Sequence, residues 1–411
     1  MVVDGSGTSF GAEAGRQLIA DAAHHQSTIV RVIPVMLAIG TAAAAQTAFL
    51  PWLPGLVDEA LGTLGAGSHD IHVAVLSAVF PLGGMLTAPL WGALSDRYKF
   101  RSVLFLAIAT LAVTTALTGA TSLTLLYLLR ILAGIAFGAV VPLCLLVGNQ
   151  AARDSAAKAR LFTMLTASLF LGDFAGPLLA EASARLSPQL PLLSFGIGVG
   201  SVALALALVP APKSYWHVVP ASDGGRRDSR IMALTLLGLT IVGTGGLSAV
   251  HLSLVLHRPE ALLGREQVAW MLSLCGLAML GAQAFHARLG WLVTRPAPLA
   301  AGMLVLLGLA LWFFSLSRSG TAVAATVFAA GWSAATLRLI ASFWISAPRD
   351  HAGLRLGIQH GVASVGQVAV PLAFAFSHTE WHRTVLWTTI FACFALLPAV
   401  PLVWRRIGPS L

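Results

Sequence analysis

Twelve runs of about 20 mostly apolar residues follow one another along this chain of 411 residues, and they constrain its fold more than any other feature. A helix of that length spans the hydrocarbon core of a bilayer. Lipid offers no hydrogen-bond partner to a peptide group, so each run must satisfy its own backbone as a helix. Only 10% of the residues are charged, whereas a soluble domain has about 25%. We therefore predict an all-α, multi-pass membrane protein.

Polar turns divide the chain into spans, and one longer polar stretch divides the spans into two sets of six. The predicted spans are 30–51, 72–93, 102–120, 122–148, 160–181, 190–210, 231–256, 267–289, 298–316, 321–347, 353–377 and 384–404. This order predicts twelve transmembrane helices in two pseudo-symmetric six-helix bundles. The predicted division is an N-terminal tail (1–28), a first bundle (29–210), a linker (211–230), a second bundle (231–404) and a C-terminal tail (405–411).

The positions of the lysines and arginines orient the chain. With the N-terminus inside, 18 of the 25 lie in inner loops and tails, five lie in outer loops, and Arg130 and Arg338 lie within spans. Basic loops stay on the cytoplasmic side during insertion, so we expect both termini in the cytoplasm. The net charge of +9 then records these loops and does not indicate a nucleic-acid surface.

Several function classes lack their sequence signatures here. The chain has no HExxH zinc-protease motif, no nucleotide-binding glycine loop and no cluster of histidines and carboxylates at metal spacing. Its three cysteines are scattered through apolar runs, which favours buried thiols over disulfides or a zinc site. We predict no enzyme activity, no catalytic residue, no metal and no cofactor.

A charged loop joins the second and third spans. It reads Gly92-Ala-Leu-Ser-Asp96-Arg97-Tyr-Lys-Phe-Arg101. The carboxylate of Asp96 can lie at the N-terminus of a helix from the second bundle, where the helix dipole would hold it. The alternative is that the basic residues of the loop only set the topology.

The fourth and fifth spans each contain one charged residue at a matching depth. Arg130 lies in Tyr127-Leu-Leu-Arg-Ile-Leu-Ala-Gly-Ile-Ala-Phe-Gly138, and Asp173 lies in Gly172-Asp-Phe-Ala-Gly176-Pro177. Each is about eight residues, or ~12 Å, from the outer end of its helix. The two spans are antiparallel neighbours, so we expect an ion pair that releases a proton when it forms and takes one up when it breaks. A static structural bridge is the alternative.

Gly172, Gly176 and Pro177 give the fifth span an unusual surface. Two glycines four residues apart leave a groove in which another helix can pack closely. The proline removes a backbone donor and kinks the helix. An aspartate beside them is costly in lipid, which indicates a functional element.

These three motifs make the chain resemble the major facilitator superfamily and, within it, the twelve-span drug:proton antiporters. The resemblance covers residues 28–407. It implies a conformational latch at Gly92, Asp96, Arg97 and Arg101, an intramembrane arginine in the fourth span, and a glycine–proline motif that this family associates with exporters. The sequence departs from the usual pattern at Lys99, Phe100, Ala133 and Ala180.

The resemblance implies a secondary active transporter of the bacterial inner membrane. It would export a small amphipathic molecule, such as a metabolite, a chelator or a drug, in exchange for protons by alternating access. Its partners would be the small molecule, protons and membrane lipid, without nucleic acid, and the default state is a monomer. The alternative is a proton-coupled importer on the same fold.

Polar residues on the spans that line the cavity in this superfamily are the candidate contacts. We assign proton coupling to Asp173, Arg130 and His360. The candidate substrate-binding residues are Gln46, His251, Trp332, Arg338, Gln359 and Gln367. Arg338 and His360 lie roughly 12–15 Å from the inner side and can face one another. Two arginines against one aspartate make the cavity electropositive, which favours an anionic or zwitterionic cargo.

Overall fold

A computed structural model describes residues 32–62, 69–96, 100–118, 122–152, 154–186, 190–208, 229–256, 264–289, 295–346, 351–376 and 381–401. Within these ranges the chain is helical apart from short turns and contains no strand, which confirms the all-α class. Both predicted tails, and residues 211–228 of the predicted linker, lie outside the described residues.

Twelve helical segments correspond to the twelve predicted spans. They are α1 (Val32–Leu61), α2 (His69–Ser95), α3 (Phe100–Leu117), α4 (Leu123–Ala151), α5 (Ser155–Ala184), α6 (Leu190–Leu208), α7 (Ser229–Leu256), α8 (Arg265–Leu289), α9 (Pro296–Leu316), α10 (Gly320–Ile345), α11 (Ala352–Ala375) and α12 (Trp381–Leu396). In the described part of the chain, nine helices are long and apolar enough to cross a membrane. Shorter apolar stretches lie in α3, α6 and α12.

The first helix extends beyond its predicted end at residue 51. A 3₁₀ turn at Leu50–Trp52 joins the membrane part of α1 to a further helical piece, Leu53–Leu61. Pro51 and Pro54 lie in the first turns of these two pieces, where a missing N–H breaks no hydrogen bond. Each proline therefore begins a new helical segment, and α1 continues as far as Leu61.

The two sets of six helices meet along two seams. In one seam α2 packs along α11, and in the other α5 packs along α8. Within the sets, α4 packs against α2 and α3, and α10 packs against α7, α8 and α9. The residue boundaries assigned above to the bundles remain a prediction.

Glycines bring the helices of both seams into backbone contact. A Cβ at Gly92 in α2 would collide with the carbonyl oxygen of Gly353 in α11. A Cβ at Gly276 in α8 would collide with the backbone nitrogen of Phe174 in α5. The predicted glycine groove of the fifth span is filled by α1, because a Cβ at Gly172 would collide with the carbonyl oxygen of Gly40. Small residues thus fix how closely α5 approaches its neighbours.

Candidate functional site

A cavity of about 130 Å³ lies between the two sets of helices. Residues of α1, α2, α4 and α5 form its wall on one side, and residues of α7, α8, α10 and α11 form it on the other. Among the described residues, three charged side chains line the cavity, namely Arg130, Asp173 and Arg338. Polar groups from both halves therefore converge on one cavity, as is usual for a small-molecule site.

Asp173 lines this cavity from α5, beside a close backbone contact between the two halves. The backbone at Asp173 and Phe174 lies against Gly276 of α8. Among the described residues, none forms a hydrogen bond or ion pair with the Asp173 carboxylate. The carboxylate interacts electrostatically with Arg338, which lies in the other half of the molecule. It therefore stays open to a proton or to a ligand.

Arg130 does not form the ion pair with Asp173 that the sequence predicted. Its guanidinium carbon lies 3.9 Å from the ring centroid of Phe49 and 4.5 Å from that of Phe80. The side chain is buried, and its Nε has no hydrogen-bond partner in the described structure. One turn further along α4, Gly134 packs under the carbonyl of Phe80. That contact sets the rotation of α4, so Arg130 points at the aromatic rings of α1 and α2.

Arg338 and His360 are in direct contact, as the sequence predicted. Nη2 of Arg338 lies 3.2 Å from Nδ1 of His360. A guanidinium can only donate hydrogen bonds, so Nδ1 accepts and the imidazole carries its proton on Nε2. His360 is buried, and its ring packs near Phe137 with the centroids 6.1 Å apart. In this arrangement His360 positions the charge of Arg338.

Three other candidate contacts, Gln46, His251 and Gln367, also line the cavity. They come from α1, α7 and α11, so each wall contributes hydrogen-bonding groups as well as charge. Nε2 of His251 is buried and has no hydrogen-bond partner in the described part of the chain. An unpaired buried nitrogen is unfavourable, and a polar group of a ligand in the cavity can satisfy it.

Trp332 and Gln359 do not line this cavity, and their part in substrate binding remains a prediction. Trp332 packs against Phe285 and Phe328, with ring centroids 5.6 and 6.1 Å apart. Six residues separate it from Arg338, which is about 120° around a helix of 3.6 residues per turn. Gln359 is 2% exposed and precedes His360, so its side chain leaves the helix about 100° away from the imidazole.

The Asp96 latch is formed by the end of α2 and the start of α11. Oδ1 of Asp96 accepts a hydrogen bond from the backbone N–H of Gly353, and Oδ2 accepts one from Leu354, each at 3.1 Å. Both amides lie in the first turn of α11, so the carboxylate caps its positive end as predicted. Arg97 lies outside the described residues and nothing is described of the side chain of Arg101. Their part in the latch remains a prediction.

A second contact between the halves, which we call the Arg265 clasp, was not predicted from the sequence. Arg265 of α8 donates from Nε and Nη2 to the two carboxylate oxygens of Glu181 in α5, at 2.8 and 3.0 Å. Its guanidinium carbon also lies 4.2 Å from the ring centroid of Trp52 in α1. Both charges were visible at the ends of spans 5 and 8. Only the packing of α5 on α8 shows that they are neighbours.

The comparisons with known proteins decide the family. A family model described as the Major Facilitator Superfamily matches residues 35–263, more than half of the chain. The chain belongs to the Major Facilitator Superfamily. This facilitator is 26% identical to the class G tetracycline resistance protein of Vibrio anguillarum, over 92% of this chain and 98% of that protein. It is 25% identical to the class D protein of Salmonella ordonez, over 88% and 93% of the two chains.

A solved structure shows the same fold. The human organic anion transporter MFSD10 (TETRAN) superposes with a TM-score of 0.73, over 90% of this chain and 98% of that chain, at 18% sequence identity. These matches confirm the predicted superfamily and its twelve-helix fold, and the resistance proteins agree with the drug-antiporter resemblance. The facilitator is therefore a multi-pass membrane transporter of small molecules and not an enzyme.

Proposed function

We propose that this facilitator exports a small amphipathic molecule across the bacterial inner membrane in exchange for protons. The observation that carries the proposal is the open carboxylate of Asp173 in a cavity between the two halves. Similarity to tetracycline resistance proteins along nearly the whole chain supports a drug-like cargo. The organic anion transporter with the same fold supports a cargo that carries negative charge.

The charge of the cavity also favours an anionic or zwitterionic cargo. Two guanidinium groups, Arg130 and Arg338, and one carboxylate line the cavity, and in the described structure neither guanidinium forms an ion pair. Unpaired cations in a low-dielectric cavity attract anionic groups strongly, because little solvent screens them. Gln46, His251 and Gln367 add hydrogen-bonding groups around these charges.

Asp173 is the group to which we assign the exchanged proton. Its ionised form attracts Arg338 of the opposite half. Uptake of a proton removes that attraction, so the balance between the halves changes with the protonation of one side chain. His360 accepts a hydrogen bond from Arg338, and we assign it the positioning of that arginine.

The Asp96 latch and the Arg265 clasp hold the halves at opposite ends of the cavity. In the orientation expected from the basic loops, both termini are cytoplasmic, the latch faces the cytoplasm and the clasp faces outward. Alternating access then requires one of these contacts to break in each half of the cycle. The functional unit we propose is a monomer embedded in lipid.

Transport by purified protein in liposomes tests the proposal. With an imposed pH gradient, we expect proton-driven movement of tetracycline in the export direction, measured with radiolabelled drug. Asp173→Asn should abolish the dependence on the gradient. The control is Glu59→Gln, which neutralises an exposed carboxylate near the end of α1.

Three outcomes would contradict parts of this proposal. Accumulation in the opposite direction would support the proton-coupled importer. Proton coupling that survives in Asp173→Asn would move the exchanged proton to His360 or Glu181. Absence of tetracycline movement, with proton release on addition of another amphipathic compound, would exclude tetracycline and retain the exporter.

A further inference from the structure

The sign of the cargo's charge decides whether its binding releases or recruits a proton at Asp173. Binding equilibria at two coupled sites are reciprocal, so a ligand that expels the proton must itself be expelled by it. A positive group beside the carboxylate meets this condition, because it is attracted only to the ionised form. A purely anionic ligand does the opposite and binds better when Asp173 is neutral. An anion alone would therefore travel with the proton and not against it.

The cavity separates its charges in a way that suits a ligand carrying both signs. Asp173 is on α5 and Arg338 is on α10, in opposite halves, and both line the same volume. The two groups interact electrostatically, yet the described structure has no ion pair between them. A carboxylate and a guanidinium on facing walls, each without a direct partner of opposite charge, leave space for a ligand between them.

The neighbours of Asp173 strengthen this division of charge. The other titratable and charged groups that line the cavity or interact with Asp173 are Arg130 on α4, His251 on α7, Cys275 on α8, Arg338 on α10 and His360 on α11. His360 accepts from Arg338 and is neutral in that contact. Among the described residues that line the cavity, Asp173 is thus the one acidic side chain.

We infer that the cargo is a zwitterion whose cationic group occupies Asp173 and whose anionic group binds Arg338. The inference rests on the proposed function, since it requires the exchanged proton to leave Asp173. On binding, the carboxylic acid of Asp173 releases its proton to water and the cation of the cargo takes the proton's place. No covalent bond of the cargo changes. Of the two cargo classes proposed above, anionic and zwitterionic, the inference selects the zwitterion.

Three probes with the same octyl tail test the inference. They are N-octyl-N,N-dimethylglycine, which is a zwitterion, octyltrimethylammonium, which is a cation, and octanoate, which is an anion. At neutral pH none of them gives up a proton of its own. The purified full-length protein, in weak buffer with a pH indicator, reports protons released or taken up on binding. We expect release with the zwitterion and the cation, and uptake or no change with octanoate.

Two variants separate the two ends of the ligand. Asp173→Asn should abolish proton release and weaken binding of the cation about tenfold, without weakening octanoate. Arg338→Gln should weaken octanoate and the zwitterion about tenfold and spare the cation. The matched controls are Glu59→Gln and Arg288→Gln, which remove exposed charges outside the cavity wall.

The outcomes distinguish this inference from the proposed function. Proton release by octanoate alone overturns the zwitterion and leaves antiport at Asp173 standing. Binding of the zwitterion with no change in protonation overturns the antiport as well. If Asp173→Asn and Arg338→Gln weaken all three probes equally, the two residues do not bind separate charges and the inference is wrong. Failure of all three probes to bind contradicts the cavity as an amphiphile site.

Discussion

Arg130 is a buried cation that aromatic rings stabilise in place of a carboxylate. The faces of Phe49 and Phe80 present negative charge density to the guanidinium. A carboxylate in the same place would neutralise Arg130 and compete with any anionic ligand. Two rings stabilise the cation without removing its charge from the cavity.

Removing one of these rings should destabilise the protein. We expect Phe80→Leu to lower the free energy of unfolding by about 1–2 kcal/mol, because a desolvated cation–π contact of that size is lost while most of the apolar volume is kept. The measurement is thermal unfolding in detergent. Phe328→Leu is the control, since that ring lies on a partly exposed face and packs near Trp332. Equal effects of the two substitutions would show that ring packing alone, and not the cation, is responsible.

The hydrogen bond between Arg338 and His360 should contribute to the affinity for an anionic ligand. His360→Ala removes the hydrogen-bond acceptor of the guanidinium, and we expect octanoate to bind about tenfold more weakly, as for the loss of a hydrogen bond to a charged group. His360→Gln supplies another acceptor and should restore part of the affinity. Binding of octyltrimethylammonium should not change in either variant. If Gln is as damaging as Ala, the imidazole has a role other than positioning.

The sequence predicts how deep in the membrane these residues lie, but it does not predict in which direction their side chains point. The rise per residue predicts how far along a helix Arg130, Asp173 and Arg338 lie. Which way each side chain points depends on the rotation of its helix. That rotation is set by contacts such as Gly134 against Phe80, which involve residues far apart in the chain. The predicted Arg338–His360 contact was therefore found, whereas the predicted Arg130–Asp173 pair was wrong.

At the scale of helices, α5 is held between α1 and α8 by glycines. Gly172 admits the backbone of α1, and Gly276 admits the backbone of α5 beside Asp173. The sequence predicted that the fifth span has a groove, because two glycines four apart produce one whatever surrounds them. It did not predict the continuation of α1 through Pro51 and Pro54, because a proline ends a helix or begins one depending on where the turn falls.

Adding a single methyl group at this contact should separate the helices. Gly276→Ala places a Cβ against the backbone of Phe174, which cannot move aside as a flexible side chain would. We expect a loss of about 1–3 kcal/mol of stability, as for overpacking of a dense interior, and a loss of proton coupling. Gly302→Ala is the control, because nothing lies within 4 Å of the added Cβ. In a helix this substitution should stabilise by about 0.5–1 kcal/mol.

At the scale of the whole molecule, the Asp96 latch and the Arg265 clasp oppose each other across the cavity. The latch joins α2 to the first turn of α11, and the clasp joins α5 to α8. In the alternating-access cycle proposed above, each contact would stabilise the state in which its own end of the molecule is closed. The relative strength of the two sets which end opens more often.

Breaking the Asp96 latch and breaking the Arg265 clasp should shift the population of states in opposite directions. We expect Asp96→Ala to favour the state that is open on the side of the Asp96 latch. We expect Glu181→Ala to favour the state that is open on the side of the Arg265 clasp. Distances between spin labels at the two ends report the shift. Asp154→Ala is the control, because Asp154 caps its own helix within one half by accepting from the N–H of Ala157. A shift of the same sign in Asp96→Ala and Glu181→Ala would contradict the opposition.

A single carboxylate in the described wall of the cavity also has an electrical consequence. A zwitterion carries no net charge, so its exchange for one proton at Asp173 moves one positive charge into the cell per cycle. Transport would then draw on the membrane voltage as well as on the pH difference, with about 2.3 kcal/mol available for each 100 mV. A potassium diffusion potential imposed without any pH gradient should drive export of the zwitterion, and collapse of that potential with an ionophore should stop it.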